Sequence, residues 1–87
     1  MSVNKLTGEI MQSDKLFTIY KNGVAVNVYD GYIKGFVTFE IKGHEAVVQA
    51  VYLYDAVRCI KTNNKNILDD MWSCKGFKTL LESHGLI

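Results

Sequence analysis

From residue 15 to residue 52, short apolar runs alternate with pairs of turn-forming residues. One such pair, Asn22 and Gly23, separates the runs 15–20 and 24–29. An Asn-Gly pair between apolar runs is the strongest short-range signal for a β-hairpin, because a type I′ turn needs positive φ at both of its central residues. The two runs are therefore predicted to form neighbouring antiparallel strands.

A third strand is predicted to begin at about Tyr32, because Asp30 and Gly31 repeat the turn chemistry of the first hairpin. Gly35 interrupts this strand and is expected to mark a β-bulge. Beyond it the side chains alternate between two sheet faces: Val37, Phe39 and Ile41 on one, and Phe36, Thr38, Glu40 and Lys42 on the other. The first set is predicted to face the core.

Residues 45–61 fit either one helix or a strand followed by a helix. As a single helix, the segment scatters its polar residues around the cylinder, whereas a surface helix normally collects them on one side. If the segment is divided near Tyr52, its first half becomes a β-branched strand, 46–51, that follows a turn at Gly43 and His44. The second half then places apolar residues at the helical positions i, i+3, i+4 and i+7, which are Leu53, Ala56, Val57 and Ile60. We favour the divided interpretation.

A last helix is predicted to begin after Asn66, which is a favourable N-cap residue. Asp69 and Asp70 place negative charge near the positive end of the helix dipole. Gly76 is expected to weaken or bend the helix, and Gly85 is expected to end it in a Schellman motif. The predicted buried stripe consists of Ile67, Leu68, Met71, Trp72, Phe77, Leu80 and Leu81.

Together these elements predict one α+β domain of 87 residues, in which a four-stranded antiparallel meander is followed by two C-terminal helices packed on one sheet face. Residues 1–14 are predicted to be either flexible or an extra edge strand. The second sheet face is expected to be uncovered, unless residues 1–13 or another placement of the helices cover it. On the predicted register it carries Leu16, Thr18, Tyr20, Ala25, Asn27, Tyr29, Phe36, Thr38 and Glu40.

The composition predicts a folded, soluble and cytoplasmic protein. Hydrophobic residues make up 48% of the chain and charged residues 22%, which lies in the globular range. Apolar stretches fall far short of the roughly 18 residues that span a membrane, and the N-terminal residues lack the features of a signal peptide. A net charge of +1 gives no field strong enough to indicate nucleic acid or an anionic membrane as a partner.

Residues that usually carry chemistry are few and isolated. His44 is placed in a predicted turn and His84 near a helix end, 40 residues apart and without metal-ligand spacing around either. Cys59 and Cys74 are interpreted as reduced structural thiols. The glycines form neither a dinucleotide fingerprint nor a phosphate loop. No catalytic residue, cofactor or metal is predicted, and an enzyme is not expected.

We therefore expect a non-enzymatic interaction module that binds another protein, itself as a homodimer, or both. Tyrosine contributes to interfaces at low entropic cost, so the candidate contacts are aromatic. They are Tyr20, Tyr29, Tyr32 and Phe36 on the sheet, with Tyr52 and Tyr54 as a second patch at the strand-to-helix corner. The sheet edge at 15–20 is also expected to be able to pair with a partner strand.

In its size and its lack of catalytic groups, the chain is similar to small accessory proteins that phages and mobile elements encode. This similarity of class implies a protein that inhibits a host enzyme or defence complex by stoichiometric binding. The alternative is a nucleic-acid-binding domain, in which the sheet aromatics stack on bases while Lys15, Lys21, Lys34 and Lys42 meet phosphates. The ten basic residues are balanced by nine acidic ones, so the basic excess of such domains is missing.

Overall fold

The computed structural model describes residues 14–31, 33–64, 66–68 and 76–87. They form four strands and two helices: β1 (Lys15–Lys21), β2 (Val24–Asp30), β3 (Phe36–Ile41), β4 (His44–Gln49), α1 (Leu53–Thr62) and α2 (Phe77–Ser83), with a 3-10 turn at Ala50–Tyr52 before α1. The strands make one antiparallel sheet in the order β1-β2-β3-β4. The predicted α+β class, with a four-stranded meander followed by two helices, is confirmed.

Two of the strand connections are tight turns with the backbone geometry of type I′. Asn22 and Gly23 have φ values of 54° and 77°, which confirms the first predicted hairpin. Lys42 and Gly43 have φ values of 51° and 88°, so the second turn lies one residue earlier than predicted. The physical reason is that a type I′ turn places its glycine second, and His44 consequently begins β4 instead of lying in the turn.

The connection between β2 and β3 differs from the prediction, because β3 begins at Phe36 and not near residue 32. The amide of Gly31 donates to the carbonyl of Phe36 at 2.9 Å, and a Cβ at Gly31 would lie 2.3 Å from that oxygen. The absence of a side chain at Gly31 therefore allows its backbone to lie close to that of Phe36. Gly35 precedes β3 with a φ of 89° and accepts a hydrogen bond from the amide of Ala50, so it does not form the predicted bulge.

The core lies between one sheet face and the two helices. The strand alternation predicted for β3 is confirmed, because its three apolar residues on that face are buried. They pack with β2, β4, α1 and α2 in one cluster, whose main members are Val26, Val28, Val37, Phe39, Ile41, Ala46, Val48, Ala56, Cys59, Ile60, Phe77, Leu80 and Leu81. The rings of Phe39 and Phe77 meet edge to face with centroids 4.9 Å apart, which links β3 directly to α2.

Helix α1 begins at Leu53, as the divided interpretation of residues 45–61 predicts. It ends at Thr62, and its C-cap residue Asn63 has a φ of 61°, in the left-handed region. The ammonium group of Lys21 donates to the carbonyl of Ile60 and to the side-chain oxygen of Asn63. Lys21 thus satisfies a carbonyl at the negative end of the helix and ties the first hairpin to α1.

The prediction that a long helix begins directly after Asn66 is wrong. Residues 66–68 form a turn and a bend, and the side chain of Asn64 accepts a hydrogen bond from the amide of Asn66. Gly76 has a φ of 86°, which a right-handed helix cannot include, so α2 begins at Phe77. The predicted helix residues Asp69, Asp70, Met71, Trp72 and Cys74 lie outside the described residues.

The C-terminal end of α2 has the predicted Schellman motif. The amide of Leu86 donates to the carbonyl of Leu81 at 2.9 Å, and the amide of Gly85 donates to the carbonyl of Glu82 at 3.1 Å. Leu86 folds back into the core cluster. In the described part of the chain, neither helix has the length and apolar character needed to cross a bilayer.

Candidate functional site

A groove on the protein surface separates β1 from α1. Its volume is about 610 Å³, which falls within the size range of pockets that bind ligands. We call it the β1–α1 groove. Its walls are formed by Phe17, Thr18, Ile19, Tyr20, Leu53, Tyr54, Val57 and Lys61.

The helical wall of the groove follows from residue spacing. Leu53, Val57 and Lys61 are four residues apart, so they form one stripe along α1. Leu53 and Val57 are half-buried, and Lys61 is exposed at the C-terminal end of the stripe. The α1 side of the groove is therefore apolar over most of its length and ends in a positive charge.

The aromatic residues of the groove are unusually open to solvent. Tyr20 is 77% exposed and Tyr54 is 83% exposed, while Phe17 and its neighbour Leu16 are also exposed. Single exposed apolar residues are common on soluble domains, but a contiguous set around a groove is typical of a binding site. The groove thus combines aromatic side chains with an apolar floor.

The backbone of β1 contributes free hydrogen-bonding groups to the same place. Within the described residues β1 is an edge strand that pairs with β2 alone. Lys21 pairs with Val24 across the two-residue turn, and hydrogen-bonded pairs alternate with non-hydrogen-bonded pairs along an antiparallel ladder. Thr18 and Tyr20 therefore direct their N–H and C=O groups away from β2, towards the groove. Such an edge is able to accept a further strand.

A β-bulge limits how much of this edge is regular. The register shifts between Lys15 and Phe17, so Leu16 has no paired residue in β2 and its predicted place on the second sheet face is not supported. A bulge increases the local twist and discourages pairing along an edge. Residues 17–21 remain as the regular part of the strand.

Of the four aromatic residues predicted to form one sheet surface, the structure describes three, and it places Tyr20 apart from the other two. Tyr20 pairs with Ala25 near the first turn, whereas Tyr29 and Phe36 lie towards the opposite end of the sheet. Tyr29 lies four positions after Ala25 in β2, a distance of about 13 Å along a strand. Tyr32, the fourth predicted residue, lies outside the described residues.

The second predicted patch is also divided. Tyr54 lines the β1–α1 groove together with Tyr20, although the sequence assigned these two residues to different patches. Tyr52 is partly buried and packs against the core. Phe17, Leu53 and Val57 also line the groove, although the sequence pattern did not indicate them as contact residues. Leu16 and Phe17 are adjacent apolar residues, so they interrupt the alternation of apolar and polar residues in β1. This interruption is the sequence signal for the β-bulge at that point.

The second sheet face carries the predicted polar side chains, and several of them are hydrogen-bonded to one another. Thr18 donates to the side-chain oxygen of Asn27 at 2.8 Å, and the Asn27 amide donates to Glu40 at 2.8 Å. The Gly43 N–H and then the Asn27 amide lower the pKa of the Glu40 carboxyl below its ordinary value, which keeps that carboxyl ionised. Thr38, in the middle of this face, is buried.

Cys59 is consistent with a structural role. Its side chain is buried in the core cluster, and burial raises the pKa of its thiol. A reactive cysteine needs a thiolate, which this environment disfavours. Cys59 therefore adds no nucleophile to the β1–α1 groove.

Comparison of the chain with protein-family models, curated proteins and solved structures gives no match. The residues of the groove therefore carry the functional argument.

Proposed function

We propose that the protein is a non-enzymatic interaction module that receives an extended segment of a partner protein along β1. The observation that carries this proposal is that Thr18 and Tyr20 belong both to the edge strand of the described sheet and to an apolar groove. In strand addition, main-chain hydrogen bonds contribute affinity, and pockets for alternate side chains contribute specificity. Both requirements meet at the β1–α1 groove.

The groove also defines the chemistry of the partner segment. Every second side chain of an added strand lies over the helical wall, where Leu53, Tyr54 and Val57 favour apolar groups. Lys61 at the end of the groove favours an acidic residue there. The partner segment is therefore short and extended, with apolar residues at alternate positions and a carboxylate at one end.

Two features support a protein partner over nucleic acid. Glu40 is ionised on the second sheet face and lies opposite Glu45 in the register, so phosphates would meet negative charge there. Lys21, one of the four lysines predicted to meet phosphates, instead donates to the C-terminal end of α1. An inhibitor of a host enzyme or defence complex would, on this proposal, act by holding one of its segments in the groove.

The test is a selection of random peptides displayed on phage against the wild-type protein. We expect peptides with alternating apolar residues and one acidic residue. Binding should weaken about tenfold or more in Tyr54→Ala, as for an interface aromatic that contributes at least about 1.4 kcal/mol. Val51→Ala is the matched control, because Val51 is 75% exposed but does not line the groove. Its binding should be unchanged.

Hydrogen exchange on the complex distinguishes strand addition from simple contact. The amides of Thr18 and Tyr20 should exchange more slowly when the peptide is bound, because they then donate to its backbone. The proposal would be overturned if the peptide still bound to both Tyr20→Ala and Tyr54→Ala and if its binding did not slow the exchange of these amides. Light scattering at several protein concentrations then shows whether the protein forms a dimer. If it does, and if Tyr54→Ala dissociates that dimer, the groove is occupied by a second copy of the chain.

A further inference from the structure

A second cavity lies between the start of β4 and helix α2. Its volume is about 450 Å³, and it contains the two histidines of the chain, His44 and His84. They are 40 residues apart in the sequence, but their ring centroids are 5.5 Å apart and their planes are inclined by 51°. The fold thus creates a histidine pair that the sequence alone did not indicate.

The positions of both rings follow from elements described above. His44 pairs with Ile41 at the first residue of β4, so it belongs to the sheet face on which the helices pack. Helix α2 packs against β4, and His84 is its C-cap residue. The Schellman motif that follows His84 fixes the end of the helix and therefore the backbone that carries this ring.

The hydrogen bonding of His84 leaves one ring nitrogen available. Its Nδ1 lies 2.9 Å from the carbonyl oxygen of Leu80. Since a carbonyl oxygen only accepts, Nδ1 carries the proton, and Nε2 of the neutral ring carries the lone pair. Histidines that bind metals commonly donate their other ring N–H to a backbone carbonyl, which fixes the tautomer and the ring orientation.

The separation of the rings suits a shared metal ion. Metal–nitrogen bonds of about 2.0–2.1 Å place the ion about 3.2 Å from each imidazole centroid. Two centroids 5.5 Å apart then correspond to an angle of about 120° at the ion, which is close to a tetrahedral arrangement. The rings are therefore neither too close nor too distant to bind one ion together.

We propose that His44 and His84 bind one divalent transition-metal ion through their imidazole nitrogens. Imidazole ligands suit zinc, copper and nickel. No group of three His, Cys, Asp or Glu side chains in the described ranges could hold a metal, so the proposed site has two protein ligands within those ranges. The ion would connect β4 to the end of α2 and stabilise the folded state, which binds it better than the unfolded chain does.

The test is calorimetric titration of the full chain with Ni²⁺, which we choose because thiolates compete less for nickel than for zinc. His44→Gln changes an exposed side chain. His84→Asn removes the free ring nitrogen while keeping an amide donor near Leu80. We expect one Ni²⁺ per wild-type chain, a loss of affinity of at least tenfold in either variant, and an affinity in the double variant no higher than in either single variant.

Thermal unfolding gives an independent readout, since Ni²⁺ should raise the melting temperature of the wild type but not that of either variant. Equal nickel affinity in the wild type and the double variant would overturn the proposal. So would a loss of affinity in only one of the single variants, because the ion would then have a single histidine ligand. If His84→Asn fails to fold, unchanged nickel affinity in His44→Gln overturns the proposal by itself.

Discussion

Replacement of Thr38 by valine is expected to stabilise the protein. The Thr38 side chain is only 2% exposed, and its hydroxyl oxygen has no hydrogen-bond partner in the described part of the chain. A buried hydroxyl without a partner loses its hydration on folding and gains nothing in return. Valine has the same branched shape and suits a strand, so it removes the hydroxyl without leaving a cavity.

The magnitude follows from the cost of burying an unpaired polar group. That cost is about 1–3 kcal/mol in proteins, and part of it is offset by relaxation of neighbouring groups. We expect the free energy of unfolding to rise by about 1 kcal/mol in Thr38→Val. In a domain of this size, such a change raises the melting temperature by about 4–8 °C.

A matched variant on the same sheet face tests the reasoning with the same chemical change. The Thr18 hydroxyl donates to the side-chain oxygen of Asn27 at 2.8 Å. Thr18→Val removes this hydrogen bond and should lower the free energy of unfolding by about 0.5–1.5 kcal/mol. Urea unfolding with linear extrapolation measures both variants, and an unchanged slope shows that the extent of unfolding is the same.

The opposite signs of the two effects make the prediction easy to refute. If Thr38→Val lowered the free energy of unfolding by about 1 kcal/mol or more with an unchanged slope, the Thr38 hydroxyl would have a hydrogen-bond partner. If both variants changed stability in the same direction, hydrogen bonding would not be what distinguishes the two threonines.

Three further variants test other parts of the fold. Gly31→Ala should lower the free energy of unfolding, measured in urea, by at least about 2 kcal/mol, because the added Cβ would lie 2.3 Å from the Phe36 carbonyl oxygen. A loss of less than about 0.5 kcal/mol would contradict that close approach. Lys21→Met should lower the free energy of unfolding by about 1–2 kcal/mol, because it removes the ammonium group that donates to the end of α1. An unchanged free energy of unfolding would mean that water replaces the ammonium group. Glu40 has a lowered pKa in the folded state, so its carboxylate stabilises the fold at pH values above its unfolded pKa of about 4.3. This stabilisation is lost as the pH falls through the pKa of the folded state. Glu40→Gln should therefore lower stability at neutral pH and weaken the decline towards acid, and parallel curves of stability against pH would disprove this linkage.

Features fixed by a few neighbouring residues were predictable from the sequence. The Asn22–Gly23 turn needs only two residues that adopt positive φ, and the Schellman end of α2 needs a glycine followed by an apolar residue. The buried side of β3 follows from its alternation, because neighbouring side chains in a strand lie on opposite faces. These local rules were sufficient for the α+β class.

Tertiary contacts decided where local signals were ambiguous. Asp30 and Gly31 resemble a tight turn, but the close approach of Gly31 to Phe36 and the hydrogen bond from Ala50 to Gly35 favour a longer connection. Likewise, an Asn followed by acidic residues is typical of a helix start, but the hydrogen bond from the Asn66 amide to the Asn64 side chain and the left-handed Gly76 place the last described helix further along.

The candidate sites depend on distances that the sequence does not encode locally. Composition and spacing selected Tyr20 and Tyr54 as exposed aromatics, but only the packing of α1 beside β1 brings them into one groove. His44 and His84 are isolated in the sequence, and the packing of α2 against β4 brings their rings together. Turn geometry and side-chain alternation act over a few residues, whereas both sites form between segments that meet only once the core has been buried.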